Sequence, residues 1–487
     1  MTQRRGLVAV VLAALLVVAG CSAPAIEPPT AQPPSGGEAV AAPDADFDDP
    51  DGDVLGWEDG YWYNESISVD QSDGLSDGEL RAYVARAMAR VEHIRGKEFT
   101  ERVPVSVLSR EEYRNRSGGS GGANGPSDYQ RWNDQVWEAL FITGESRDSG
   151  TAISDTRSAA VAGFYAPGDD EIKVITDTPE SPTIDNATLI HELVHGLQDQ
   201  HYDLTDPKYG GDTQDEQLAV DGLVEGDANY VERQYAQRCG AAWDCVSTPE
   251  SDGDGDGGGG SGSGGSNLGI LLTIFQPYSD GPVYIGDLVG SNGWNAVDRE
   301  FADPPVSTEQ VIHRTDDEPV PIEYRDRARN GWQPFPDQGV DGSDTVGEAS
   351  MYVMFWYQAR TAGADTIDPR SITDTDDPAD TYNYDSEPSA GWGNDRLYPY
   401  QQGSGSSAEY GYVWVTEWDS EADAREFRRA YRAILDAQGA EQRADNVYVI
   451  PDGGFEDAFR VTRSGTRVTI VNGPTTDDLA DIRPQQS

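Results

Sequence analysis

Between Ser76 and Gly96, Leu80, Val84, Ala87, Val91 and Ile94 recur at three- and four-residue spacings. That period predicts an amphipathic helix with Gly96 as its stop. Residues 103–108 read as a strand, and beyond a Gly/Ser loop at 117–125 a second helix over 129–142 carries Trp132, Trp137 and Phe141. Residues 161–165 and 172–175 flank Ala166-Pro167-Gly168-Asp169-Asp170 and predict a hairpin. A third helix begins near Asp185. From Ala408 the pattern gives a strand (410–418), a helix (420–435) and short strands near 446–450, 458–462 and 467–471. Helices and hairpins in this mixed order predict an α+β fold.

Breaks in the pattern divide the chain. Arg4-Arg5 precede the apolar run 6–20, which ends in Val18-Ala19-Gly20-Cys21. A charged start, an apolar core and small residues before the cut predict an export signal over 1–21. The run is shorter than the roughly 20 residues a membrane-spanning helix needs. Val-Ala-Gly-Cys resembles a lipobox, which implies a lipid anchor on Cys21, and the Arg-Arg context resembles a twin-arginine signal. A Pro/Ala/Gly/Asp-rich tether over 22–56 follows, then a domain over 57–248 and a Gly/Asp insertion over 249–266. Residues 267–400 continue that domain, 401–475 form a small α+β module, and 476–487 are a tail. With Cys21 assigned to lipid, an oxidising exterior favours a disulfide between Cys239 and Cys245.

Charge changes the list of partners. The chain has 35 Lys+Arg against 87 Asp+Glu, a formal charge of −52. Nucleic acid is excluded, because binding it takes a basic surface. In molar salt the Debye length falls to about 3 Å and screens such self-repulsion. The balance resembles that of proteins from salt-in halophilic archaea.

Histidine carries the chemistry. Of five His residues, three lie in His191-Glu192-Leu193-Val194-His195-Gly196-Leu197-Gln198-Asp199-Gln200-His201. At about 100° per residue, His191 and His195 fall about 40° apart on one helix face, so both imidazoles reach one ion. Glu192 flanks that face as a general base. A catalytic zinc takes three protein ligands and keeps one position open. His201 stands where the metzincin pattern places its third His, but that pattern has Gly where this chain has Gln198. The other choice is Glu225, in Leu223-Val224-Glu225-Gly226-Asp227-Ala228-Asn229-Tyr230, on a polar stripe with Asp221, Asn229 and Glu232. Spacing alone leaves both open, with His201 and Asn229 as groups that support the ligands from behind or as alternative ligands.

The HExxH segment and the Glu-Gly-x-Ala-x-Tyr segment resemble those of gluzincin metallopeptidases. The chain is also similar to exported prokaryotic proteins, including halophilic archaeal surface proteins, through Pro304-Pro305-Val306-Ser307-Thr308-Glu309-Gln310-Val311-Ile312-His313 and Gly391-Trp392-Gly393-Asn394-Asp395-Arg396. This resemblance implies a zincin-like unit whose hairpin lines the cleft. It implies Zn2+ on His191, His195 and Glu225, with Glu192 as base. The tetrahedral intermediate also needs a stabiliser: His313 leads, ahead of Tyr230 and Arg396. The expected function is a lipid-anchored, cell-surface zinc peptidase acting on peptides or proteins. The alternative is a non-catalytic surface binding or structural protein on the same scaffold.

Overall fold

In a computed structural model, residues 49–117, 126–158, 163–248 and 267–485 are described. The export signal, Cys21, most of the tether and the 249–266 insertion lie outside them. No helix of the described residues is long and apolar enough to cross a membrane.

Two short strands, β1 (Trp57–Glu58) and β2 (Tyr61–Trp62), pair ahead of α1 (Asp77–Arg95). A Ser76/Glu79 capping box starts α1, and Gly96 ends it in the left-handed region at φ 69°. β3 (Val105–Ser109) leads into α2 (Arg110–Ser117), α3 (Asp128–Ala139) and α4 (Ser149–Ser158). The expected hairpin is present as β4 (Gly163–Ala166) and β5 (Glu171–Thr176). Their sheet has the order β3-β5-β4, with β5 parallel to β3 and antiparallel to β4. Among the described residues β4 is therefore an edge strand.

Three helices follow: α5 (Asn186–Tyr202), α6 (Gln214–Ala236) and α7 (Leu268–Asn292). Asp185 caps α5 by accepting from Thr188 N–H. The α6–α7 contact is a backbone contact. A Cβ on Gly226 would lie 2.6 Å from the Gly281 carbonyl group. Glycine is required on both helices there, and the close approach fixes what α7 presents to α6. The Cys239–Cys245 disulfide closes the turn after α6.

After α8 (Trp294–Glu300), α9 (Thr308–His313) and the short β6 (Gln333–Pro334), α10 (Gly347–Thr361) crosses the second core. That core lies against a seven-stranded antiparallel sheet, which adds β7 (Trp392–Gln402), β8 (Glu409–Trp418), β9 (Glu441–Ala444), β10 (Val447–Val449), β11 (Ala458–Ser464) and β12 (Arg467–Gly473). Its order is β6-β7-β8-β12-β11-β10-β9. α11 (Glu421–Ala437) covers one face with Phe427, Tyr431 and Ile434, and α12 (Asp478–Ile482) closes an end. The chain is thus α+β, with a sheet and helix at its C-terminal side. This sheet begins earlier than residue 401, since β6 and β7 belong to it.

The 391–396 segment has a structural role. Buried Asp395 accepts from the backbone of Val346 and Gly347 and from the indoles of Trp392 and Trp414. The 304–313 segment is tied in the same way. Thr308 donates through both its backbone N–H and its hydroxyl to buried Asp215, at the start of α6.

Candidate metal centre

α5 and α6 pack against each other, and their facing sides bring His191, His195 and Glu225 together. His191 Nε2 lies 3.0 Å from Glu225 Oε2 and 3.1 Å from His195 Nε2. The third edge, from His195 Nε2 to Glu225 Oε2, is 3.3 Å. Tetrahedral zinc with bonds of about 2.0–2.1 Å separates its ligand atoms by about 3.3 Å. The triangle therefore has the size of three ligand atoms around one zinc ion. All three side chains are at most 2 % exposed.

Each imidazole is held from behind. His191 Nδ1 faces Glu232 Oε2 at 3.5 Å, and His195 Nδ1 lies 2.9 Å from Gln198 Oε1. Gln198 Nε2 in turn donates to Val224 O and to Asp227 Oδ2. Asp227 meets buried Arg95 at 3.0 Å, and Arg95 also reaches Asp298 and stacks over Trp294. Partners on Nδ1 leave Nε2 of both rings for the centre, which is how ligand histidines are oriented.

The three groups shift one another's ionisation. Burial would raise the Glu225 carboxyl, but the two imidazoles outweigh it and hold it down at about 2. Burial would lower His191, but Glu225 and Glu232 push it well up. Asp221, one turn before Glu225, is pushed up to about 7 by burial and by Glu225.

Glu192 stands beside the trio without joining it. Its Oε2 accepts from the Tyr165 backbone N–H at 2.7 Å, while Oε1 is buried and has no hydrogen-bond partner. Burial raises its carboxyl. Tyr165 also donates its hydroxyl to Asp199 at 2.9 Å, so β4 is clamped along two turns of α5. Gly196 lets α5 pass close to the chain entering β3, because a Cβ there would meet Val103 at 2.9 Å.

The remaining predicted residues go elsewhere. His201 points elsewhere, its Nε2 donating to Glu98 O at 2.7 Å, so Glu225 and not His201 meets the histidine pair. Asn229 donates to the Glu225 carbonyl oxygen, a contact along its own helix. His313 belongs to a separate group, 3.0 Å from buried Glu348 and grouped with Asp385. Tyr230 packs edge-on against Trp294. Arg396 lies on β7, where its charge acts on Asp344.

Tyr278 on α7 was not singled out by the sequence. Its ring stacks on His191 with centroids 6.3 Å apart and planes at 18°, and its hydroxyl engages Glu225. Tyr278 lies one turn before Gly281, so the glycine contact between α6 and α7 delivers it to the cluster. The only sequence signal was Gly226 itself, whose need for a close neighbour says nothing about which residue comes with it.

Residues 333–483 match a family described as a domain of unknown function, DUF8575. That stretch holds α10 and the seven-stranded sheet, and none of His191, Glu192, His195, Glu225 or Tyr278. No curated protein and no solved structure matches the chain.

Proposed function

We propose that this chain is a zinc-dependent peptidase of the gluzincin type. The observation that supports this most is the triangle of His191, His195 and Glu225, with edges of 3.0, 3.1 and 3.3 Å. Two imidazoles and one carboxylate are a donor set suited to zinc, and their size fits it.

His191, His195 and Glu225 would hold the ion. When bound, zinc supplies a Lewis acid that makes water a nucleophile near neutral pH. Glu192 Oε1, unpartnered and buried, takes the proton from the attacking water and passes it to the leaving amine. Its other oxygen stays on Tyr165 N–H, which holds the carboxylate in one orientation through both transfers. The Tyr278 hydroxyl, which engages Glu225, is placed to donate to a carbonyl oxygen as charge develops on it. The outer edge of β4 leaves backbone groups for an extended substrate chain, which would add to the sheet as another strand. The lipobox reading puts this activity outside the cell, tethered through Cys21.

The test is metal analysis combined with cleavage of a peptide library in molar salt. One zinc per chain and cleavage abolished by chelator, then restored by zinc, are expected. A zinc-loaded protein that cleaves no peptide would leave the scaffold without the reaction.

A further inference from the structure

A second cluster lies across the molecule, where α3 meets the seven-stranded sheet. We propose that Glu138, Glu145 and Asp457, with the side-chain carbonyls of Gln135 and Asn472, bind a hard divalent cation of the calcium class.

Three observations carry this site. First, one oxygen from each of the three carboxylates lies within 4.8 Å of the others. Two oxygens that each sit about 2.4 Å from one calcium can be no more than about 4.8 Å apart. Second, Glu138 and Asp457 are only 6 % and 7 % exposed, and neither has an ion pair among the described residues. In so acidic a chain an exposed carboxylate says nothing, but buried ones without a cation are costly. Burial pushes both well up, and the neighbouring charges acting most strongly on them are further carboxylates. Third, two buried amide oxygens are orphaned at the same place. Gln135 donates through Nε2 to Glu138 at 2.8 Å, and Asn472 donates through Nδ2 to Asp457 at 2.7 Å. Their oxygens, Gln135 Oε1 and Asn472 Oδ1, have no hydrogen-bond partner. An amide whose nitrogen steadies one carboxylate keeps its oxygen for the ion.

The donor set is all oxygen, which selects calcium or magnesium over zinc, and the mixture of carboxylates and amides favours the larger ion. The position gives the ion a task. Glu138 ends α3, Asp457 enters β11, and Asn472 lies on β12. Glu145 N–H donates to Gly454 O at 3.0 Å, so the two loops already touch. Glu145 is exposed and gives the ion its way in. Bound there, the ion joins the helical half of the chain to its C-terminal sheet.

Thermal unfolding of the full mature chain in molar NaCl, saturated with zinc and stripped of other divalent ions, tests this. Calcium at about 10 mM, well above the constants of extracellular calcium modules, should raise the midpoint in a saturable way. Glu138→Gln should lose that rise. Should it fail to fold, Asn472→Ala keeps every carboxylate and should weaken the calcium response about tenfold. A wild-type midpoint indifferent to calcium overturns the proposal. So does an equal rise in Glu138→Gln and Asn472→Ala, which would assign the effect to the acidic surface. A midpoint that ignores calcium but falls with rising pH, and stops falling in Glu138→Gln, would mean a shared proton instead.

Discussion

His195 Nδ1 and Gln198 Oε1 lie 2.9 Å apart, one turn from each other on α5. An amide oxygen accepts only, so His195 carries a proton on Nδ1 and turns Nε2 toward His191 and Glu225. Gln198 is itself fixed by Val224 O and Asp227. The orientation of the His195 ring is therefore set by contacts that reach back through Asp227 to Arg95.

Replacing Gln198 by Ala should leave all three ligands in place but free the His195 ring. Loss of such a partner typically costs 10- to 100-fold in metal affinity. Competition against a chromogenic chelator would read this directly. Affinity equal to wild type would show that the hydrogen bond does not orient the ring.

Glu192→Gln separates binding from chemistry. Glu192 is outside the ligand triangle, so zinc content should stay at the wild-type level while peptide hydrolysis falls by about 10²-fold or more. Tyr278→Phe should also keep zinc and lower kcat by about 10²- to 10³-fold with little change in KM. Glu225→Ala, in contrast, should lose the metal itself. Zinc content and steady-state kinetics, both in molar salt, distinguish the three.

The regular periods were readable in advance. Leu80 to Ile94, the 166–170 turn and the HExxH spacing each correspond to an element or contact found at those positions. α7 was not readable, because Pro277, Pro282 and several glycines interrupt an apolar run that is buried on most sides. With no polar face there is no 3.6-residue stripe to see. That is also why Tyr278 was missed. β7 was hidden for a related reason: Asn394, Asp395 and Arg396 are polar residues in a buried strand, and Asp395 is satisfied by indole and backbone donors far away in sequence. Gln198 was legible as a departure from the metzincin pattern, but not as the partner of His195, since that needs the α5–α6 packing.

The contact between Gly226 and Gly281 makes a sharp stability prediction. Gly226→Ala puts a Cβ 2.6 Å from the Gly281 carbonyl group, so the helices must separate. Overpacking of this kind costs about 1–3 kcal/mol, and moving α7 also moves Tyr278. A lower unfolding midpoint and reduced turnover should appear together. Gly290→Ala serves as the control on α7: nothing lies within 4 Å of its Cβ, and replacing an exposed helical glycine should be neutral or stabilising by up to about 1 kcal/mol.

The His313–Glu348 pair should make stability fall at alkaline pH. Hydrogen bonds to Glu348 outweigh burial and raise His313 to about 9. Asp385 and Glu309 push His313 the same way, and Asp419 adds negative charge around Glu348. The folded value exceeds the unfolded one of about 6.5, so the stabilisation is complete below pH ~6.5 and is lost as pH rises through 9. Burial raises Glu348 as well, a cost that sets in as pH rises above the usual carboxylate range. The His313 side chain is 30 % exposed, so molar salt trims the effect without reversing its sign. Denaturant midpoints measured from pH 6 to 10 should decline for the wild type. His313→Gln, which hydrogen-bonds but does not titrate, should be less stable at pH 6 and show a flatter profile. An unchanged slope in that variant would assign the alkaline loss to other groups.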